Sequence, residues 1–263
     1  MGYRTIRYET QGHVAILILN RPEVMNAVNA QMTAEAGDAL ETFAKQQESW
    51  VCVITGTGDR AFCAGADLKE VGQHLGALAD PGAMRFGFAG ITQHFIAKPL
   101  IAAVNGFALG GGTEIALACD LVIACEQASF GLPEVKRGIL AAAGGLLRLQ
   151  RQIPLKRAAE LIFTGEPLSA AEAYRLGLVN RVVPPQQLMD EALSLAHKIC
   201  EAAPLAVQSS KEILYRSLNL PLDPLTSAWD VNAQYLPKVF ASQDAKEGVA
   251  AFNEKRPPHW SGR

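Results

Sequence analysis

The sequence predicts an α/β protein, and three observations carry that prediction. Short apolar runs rich in β-branched residues alternate with amphipathic helical stretches as far as about Gly144, the pattern of βαβ units sharing a mostly parallel sheet. Glycine turns such as Gly56-Thr57-Gly58 and Gly110-Gly111-Gly112 punctuate the alternation. Beyond Gly144 the pattern becomes mainly helical.

In chain order, Thr5 to Glu9 and Val14 to Asn20 read as the strands of a hairpin around Gln11-Gly12, and Arg21-Pro22 ends the second. Asn29 to Gln47 reads as an amphipathic helix with Met32, Ala36, Ala39, Leu40 and Phe43 on one face. Val51 to Thr55 is a short apolar strand, and Ala61 to Cys63 runs on into Ala64-Gly65-Ala66-Asp67-Leu68-Lys69. Residues 70–82, with glycines at 72, 76 and 82 and Pro81, read as a loop or broken helix. Met84 to Ile96 is predicted helical, Leu100 to Val104 a buried strand, Thr113 to Ala118 a helix and Leu121 to Ala124 a strand. Helices follow near 145–151, 155–163, 170–176, 187–202, 204–218, 226–241 and 243–253, with Val179 to Val183 the extended segment among them.

At 263 residues the chain forms one large domain, or one with an appendage, and buries a substantial core. Hydrophobic residues at 49% and charged residues at 19% are ordinary for a globular protein. A net charge of −2 gives no general affinity for nucleic acid, and no basic stripe laced with aromatics is present. Cysteines at 52, 63, 119, 125 and 200 form no CxxC pair and sit mostly in apolar runs, as buried reduced thiols do. The N-terminus lacks an apolar signal core and no apolar stretch reaches about 18 residues, so the expected location is cytoplasmic, away from membranes. The five histidines show no metal-ligand spacing; His74 and His94 fall near the irregular segment, where one could face a pocket.

The chemistry concentrates in two glycine-linked carboxylates. Asn105-Gly106-Phe107-Ala108-Leu109-Gly110-Gly111-Gly112-Thr113-Glu114 places three glycines before a helix and Glu114 one turn into it. Phe130-Gly131-Leu132-Pro133-Glu134 supplies the second, twenty residues on. The small residues of Ala61–Lys69 also let a ligand approach backbone amides. An amide from there and one from Gly111 can form a two-donor oxyanion hole, in which one donor is worth about 3–4 kcal/mol. Two carboxylates beside such a hole point to acid–base chemistry on a carbonyl compound.

Together with Arg21-Pro22-x-x-x-Asn26-Ala27, these segments stand in the order and spacing of a known family. The chain resembles the enoyl-CoA hydratase/isomerase (crotonase) superfamily from about residue 5 to Phe252-Asn253-Glu254-Lys255-Arg256. The resemblance implies a spiral of ββα turns over residues 1–200 and a C-terminal helical trimerisation region over 201–263, with trimers that often pair into hexamers. It implies that the amides of Ala66 and Gly111 hold a thioester oxygen. Backbone at Ala64, Ala66, Asp67 and Leu68 would line the coenzyme A path, with Lys69 near the phosphates. Phe252 and Lys255 would reach a neighbouring subunit's coenzyme A, which enters as part of the substrate, so no separate cofactor and no metal is expected.

Glu114 and Glu134 match the two catalytic glutamates of the hydratases. Hydration of a 2-enoyl thioester needs one group to activate water at C3 and another to protonate C2, so the pair is read as base and acid respectively. Three departures bear on the acyl pocket. Ala141-Ala142 stands where hydratases have Pro-Gly, Leu132 replaces a glutamine, and Lys136-Arg137 is an unusual basic pair, read as solvated charge or as a contact to a polar acyl group. Phe86-Gly87-Phe88-Ala89-Gly90-Ile91-Thr92, Glu247-Gly248 and Glu254-Lys255-Arg256-Pro257-Pro258-His259-Trp260 resemble the carnitinyl-CoA dehydratase branch. The leading reading is an enoyl-CoA hydratase, with carnitinyl-CoA dehydratase or enoyl-CoA isomerase as alternatives and RNA binding as a distant one.

Overall fold

The structure is a computed structural model that describes residues 2–67, 69, 85–223 and 227–263. Strands β1 (Ile6–Gln11) and β2 (Val14–Leu19) form the expected antiparallel hairpin, with Gly12 at φ 57° in its turn. β2, β3 (Val51–Gly56), β5 (Leu100–Val104) and β7 (Leu121–Cys125) are almost wholly buried apolar runs. Such runs lack the polar alternation of a half-exposed sheet and pair in parallel with both faces covered. With β10 (Arg181–Val183) they complete a six-stranded sheet in the order β1-β2-β3-β5-β7-β10, parallel from β2 onward.

A second sheet of β4 (Ala61–Cys63), β6 (Phe107–Leu109), β8 (Ser129–Gly131) and β9 (Leu168–Ser169) takes the strands left over. From β3 to β8 the chain lays strands alternately in the large and the small sheet. Each turn of the spiral therefore contributes one strand to each layer. The single sheet read from the sequence is corrected to two, because strands of two or three residues are too short to show a period.

Helix α1 (Ala30–Lys45) crosses from β2 to β3. The Asn29 side chain accepts the Met32 amide at its N-terminus, as an N-cap does. All five residues expected on its inner face are buried, joined by Gly37. At its C-terminus Lys98 Nζ donates to the carbonyls of Phe43 (2.7 Å) and Gln46 (2.5 Å), a cation where the helix dipole favours one. Burial lowers the Lys98 pKa to about 8.

The described part of the helix predicted over Met84 to Ile96 is not a helix; Met84 and the loop segment 70–82 lie outside the described residues. Residues Phe88–Gly90 form one 3-10 turn, with Gly87, Ala89 and Gly90 all at positive φ. Apolar spacing suggested an α-helix, but Gly90 is pressed onto α1: a Cβ there would stand 2.4 Å from Gly37 N.

Helices α2 (Gly111–Ala118), α3 (Gly145–Gln152), α4 (Leu155–Thr164), α5 (Ala170–Arg175) and α6 (Leu188–Cys200) follow close to their expected spans. So do α7 (Pro204–Ser217), α8 (Ser227–Phe240) and α9 (Gln243–Glu254). α7 is tied to the core by Lys211 Nζ, which lies 2.6 Å from Asp120 Oδ2, both side chains being largely buried. The same carboxylate accepts the Leu100 amide at 2.7 Å. Replacing Lys211 by Met leaves Asp120 buried without its countercharge and costs about 3 kcal/mol or more of unfolding free energy, measurable by urea titration. A loss under about 1 kcal/mol would show that this pair does not anchor α7.

Candidate active site

The three motifs meet because β4, β6 and β8 are parallel neighbours and each motif follows the carboxyl end of one of them. Ala64–Asp67 leaves β4, the glycine turn leaves β6, and Leu132-Pro133-Glu134 leaves β8. This is the edge at which open parallel sheets bind ligands.

The Arg21–Ala27 motif braces the first segment. Buried Asn26 donates Nδ2–H to the carbonyls of Thr57 (3.0 Å) and Ala61 (2.8 Å) and accepts the Arg21 amide. Arg21 donates to Ala27 O and pairs with Asp67 at 3.0 Å. Three of the residues expected along the coenzyme A path are thus already engaged. The Ala64 amide goes to Met25 O, the Asp67 amide to Val28 O, and the Lys69 amide to Asp67 Oδ1. Leu68 lies outside the described residues.

Ala66 is different. Gly65 O and Asp67 N both bond Val28, so the extended chain turns the Ala66 N–H to the opposite side. Gly111 is close to this segment: a Cβ built on Gly65 would come within 3.3 Å of Gly111 N. Gly111 is the first residue of α2, whose first-turn amides have no intrahelical acceptor. The Gly111 amide thus stands at the positive end of a helix dipole, next in space to the segment that carries Ala66.

The glycine turn is closed on every side. Gly110, at φ 55°, bonds its amide to Gly131 O at 2.8 Å, and a Cβ on it would stand 2.9 Å from Glu134 Oε1. A Cβ on Gly111 would strike the Phe88 ring at 2.3 Å, and one on Gly112 would strike Cys63 O at 2.0 Å. The buried Thr113 hydroxyl accepts the Gly131 amide at 3.0 Å and lies 2.6 Å from Ala108 O, lacing α2 to β6 and β8.

Glu114 is 3% exposed, and its Oε1 accepts the amide of Gly145, the first residue of α3, at 2.8 Å. The Ala143 amide also faces it. Burial, and then the charge of Glu134, push its pKa up to about 7 against the pull of these donors. Glu134 is half-buried. Its Oε1 lies against Gly110 while its Oε2 is buried with no hydrogen-bond partner among the described residues. Burial raises the Glu134 pKa, and Arg137 opposes the rise.

Of the departures, the Ala141–Ala143 turn brings the Ala143 amide to Glu114. Leu132 is buried, with its Cδ1 beside Gly145. Lys136 turns to Glu166 on the surface at 2.5 Å, and Arg137 donates back to Pro133 O at 3.3 Å. His94 does not join the carboxylates. Its ring stacks on Phe86 at 3.8 Å and its nitrogens meet Gly90 O and Glu41. His74 lies outside the described residues. Phe252 and Lys255, at the end of α9, are exposed.

The sequence reading gave no individual role to three neighbours of the site: Phe88 over Gly111, the amide of Gly145, and Arg148. Arg148 stands a turn into α3 and donates to Thr92 O at 2.6 Å. It also borders a separate cavity of about 510 Å³, walled by Ile91, Phe95, Leu117, Lys211 and Tyr215, that includes neither glutamate. In sequence Arg148 looks like one more cation on a helix; only the fold turns it inward.

A model of the family described as enoyl-CoA hydratase/isomerase matches residues 9–263. The chain belongs to that family. Relatives of this enoyl-CoA hydratase/isomerase include the carnitinyl-CoA dehydratase of Proteus mirabilis (strain HI4320), 43% identical and aligned over 99% of each chain. Among solved structures, an enoyl-CoA hydratase from Mycobacterium tuberculosis H37Rv matches with a TM-score of 0.91 at 41% identity, covering 98% of this chain and 99% of that one. A carnitinyl-CoA hydratase from Mycobacterium avium is 48% identical over the same shares, with a TM-score of 0.76. The crotonase fold of the family and its enzymatic character thus extend to this chain.

Proposed function

We propose that this family member is an enoyl-CoA hydratase, adding water reversibly across the 2,3 double bond of a 2-enoyl-CoA thioester. The observation that carries the reading is the unlike hydrogen bonding of two carboxyls, buried Glu114 and half-buried Glu134, in the segments that follow neighbouring strands β6 and β8. Glu114 accepts backbone amides at the N-terminus of α3, which favours its anion. Glu134 presents a buried oxygen with no partner among the described residues, which favours its neutral acid. Glu114 takes a proton from water as the water oxygen bonds to C3. The C2–C3 π electrons move toward the thioester carbonyl, whose oxygen is held by the amides of Ala66 and Gly111. Glu134 then delivers its proton to C2, and the proton taken by Glu114 returns through solvent to restore the acid.

Coenzyme A comes and goes as part of the thioester, along the backbone of Ala64, Ala66, Asp67 and Leu68, with Lys69 toward the phosphates. We assign residues 201–263 to subunit assembly in a trimer, or in a hexamer made of two trimers, in which Phe252 and Lys255 reach a neighbour's coenzyme A. The 84% exposure of Phe252 supports an occupant from outside the chain. Four buried thiols, at Cys52, Cys63, Cys119 and Cys125, fit a cytoplasmic protein.

The names of the relatives favour one second reading, dehydration of carnitinyl-CoA, which uses the same steps in reverse on an acyl group bearing a quaternary ammonium. A panel of crotonyl-CoA, longer 2-enoyl-CoAs and crotonobetainyl-CoA, followed by loss of the conjugated thioester absorbance, separates the two. The hydratase reading expects turnover of simple enoyl thioesters. Activity on crotonobetainyl-CoA alone would replace it with the second.

A further inference from the structure

We propose that Arg148 is a positioning residue that fixes the Glu114 carboxylate and keeps it ready to take a proton, an inference that rests on the hydratase reading. The geometry is local. Gly144 is the N-cap of α3 at φ 106°, and Gly145 is the first residue of the helix. A Cβ on Gly144 would stand 2.1 Å from Arg148 Nη1, and one on Gly145 would stand 3.1 Å from Glu114 Oε1. The guanidinium and the carboxyl therefore lie on two consecutive residues of one turn. Arg148 folds back over that turn and clamps it to Thr92 O at 2.6 Å, while its amide closes the turn onto Gly144 O at 2.9 Å. The run of turns that carries Thr92 also carries Phe88, whose ring covers Gly111. One side chain thus joins the turn that holds Glu114 to the segment that roofs the glycine turn.

A half-buried guanidinium also brings charge to a place that water serves poorly. The groups that face it are Glu114 from α2, Cys119 just past that helix, and Tyr215 from α7. Those that face Glu114 are Glu134, from the turn after β8, and Arg148 itself. Tyr215 and Cys119 are both held neutral, the first mainly by burial and Asp120, the second mainly by burial. Among the described residues, Arg148 is thus the charge of opposite sign that faces Glu114, set against the repulsion from Glu134.

The test is the pH profile of kcat/KM for the Arg148→Met and Arg148→Lys enzymes, with a carbon-13 titration of labelled glutamates assigned through Glu114→Gln. Met keeps the length and packing of the stem but removes the charge. The acidic limb is expected to move up by about one pH unit, so that kcat/KM below the limb falls about tenfold while KM changes little. Lys returns the limb toward its original position. An unmoved limb in Arg148→Met, or equal losses in both variants without a shift, would overturn the proposal and leave Arg148 as packing. If the unaltered protein turns over no enoyl thioester, the hydratase reading fails by itself, and the Glu114 titration in Arg148→Met still decides the positioning claim.

Discussion

Glu114→Gln and Glu134→Gln each lower the turnover of a 2-enoyl thioester by about 10²- to 10⁴-fold, equivalent to about 3–5 kcal/mol of barrier. Glutamine keeps the volume of either side chain, so the fold and KM should change little. The two variants should part in their pH behaviour. With its pKa near 7, Glu114 is ionised above neutrality and protonated below it. A base must be ionised to accept a proton, so kcat/KM of the unaltered enzyme should fall about tenfold per pH unit below about 7. Glu114→Gln removes that limb along with most of the rate, whereas Glu134→Gln keeps it at a lower plateau. If Glu134→Gln erases the acidic limb and Glu114→Gln keeps it, the two roles are exchanged. A near-native rate in either variant removes that residue from the mechanism.

Ala66→Pro lowers kcat by about 10²- to 10³-fold, the effect of deleting one donor from an oxyanion hole. Proline removes the amide hydrogen and adds only ring carbons. The ladder to Val28 uses Gly65 O and Asp67 N, so the Ala66 amide is the one the bridge does not need. The preceding residue is glycine, which tolerates the restriction that proline imposes. Circular dichroism should match the unaltered protein while the rate collapses. An unchanged rate in a folded Ala66→Pro variant would place the thioester oxygen elsewhere.

Much of this site is legible in sequence because its parts are short-range. A glutamate one turn after a glycine run must sit at the N-terminal end of a helix, and Asn29 announces α1 by its capping chemistry alone. The C-terminal helices announce themselves by period. What sequence hides is whatever depends on contact across the spiral. The two-sheet layering rests on β4, β6, β8 and β9, none longer than three residues. Gly87, Ala89 and Gly90 adopt positive φ where the chain packs Gly90 onto α1, and no local pattern encodes that contact. Arg148 sits among Arg151 and other polar residues of α3, and its inward turn follows from Gly144, which leaves room for the guanidinium.

The three consecutive glycines at 110–112 have a consequence for how this enzyme is dissected by mutation. Glu134, Phe88 and the Cys63 carbonyl each press against a different one of them. A saturation scan across the turn should return three columns of equal intolerance, although the proposed chemistry uses a single amide. Intolerance there measures crowding. Exchanging the Gly110–Gly111 amide for an ester, by semisynthesis or nonsense suppression, deletes one hydrogen without adding an atom. The same exchange one bond later, at Gly111–Gly112, is the matched control, and the ratio of the two rates isolates electrostatics from sterics.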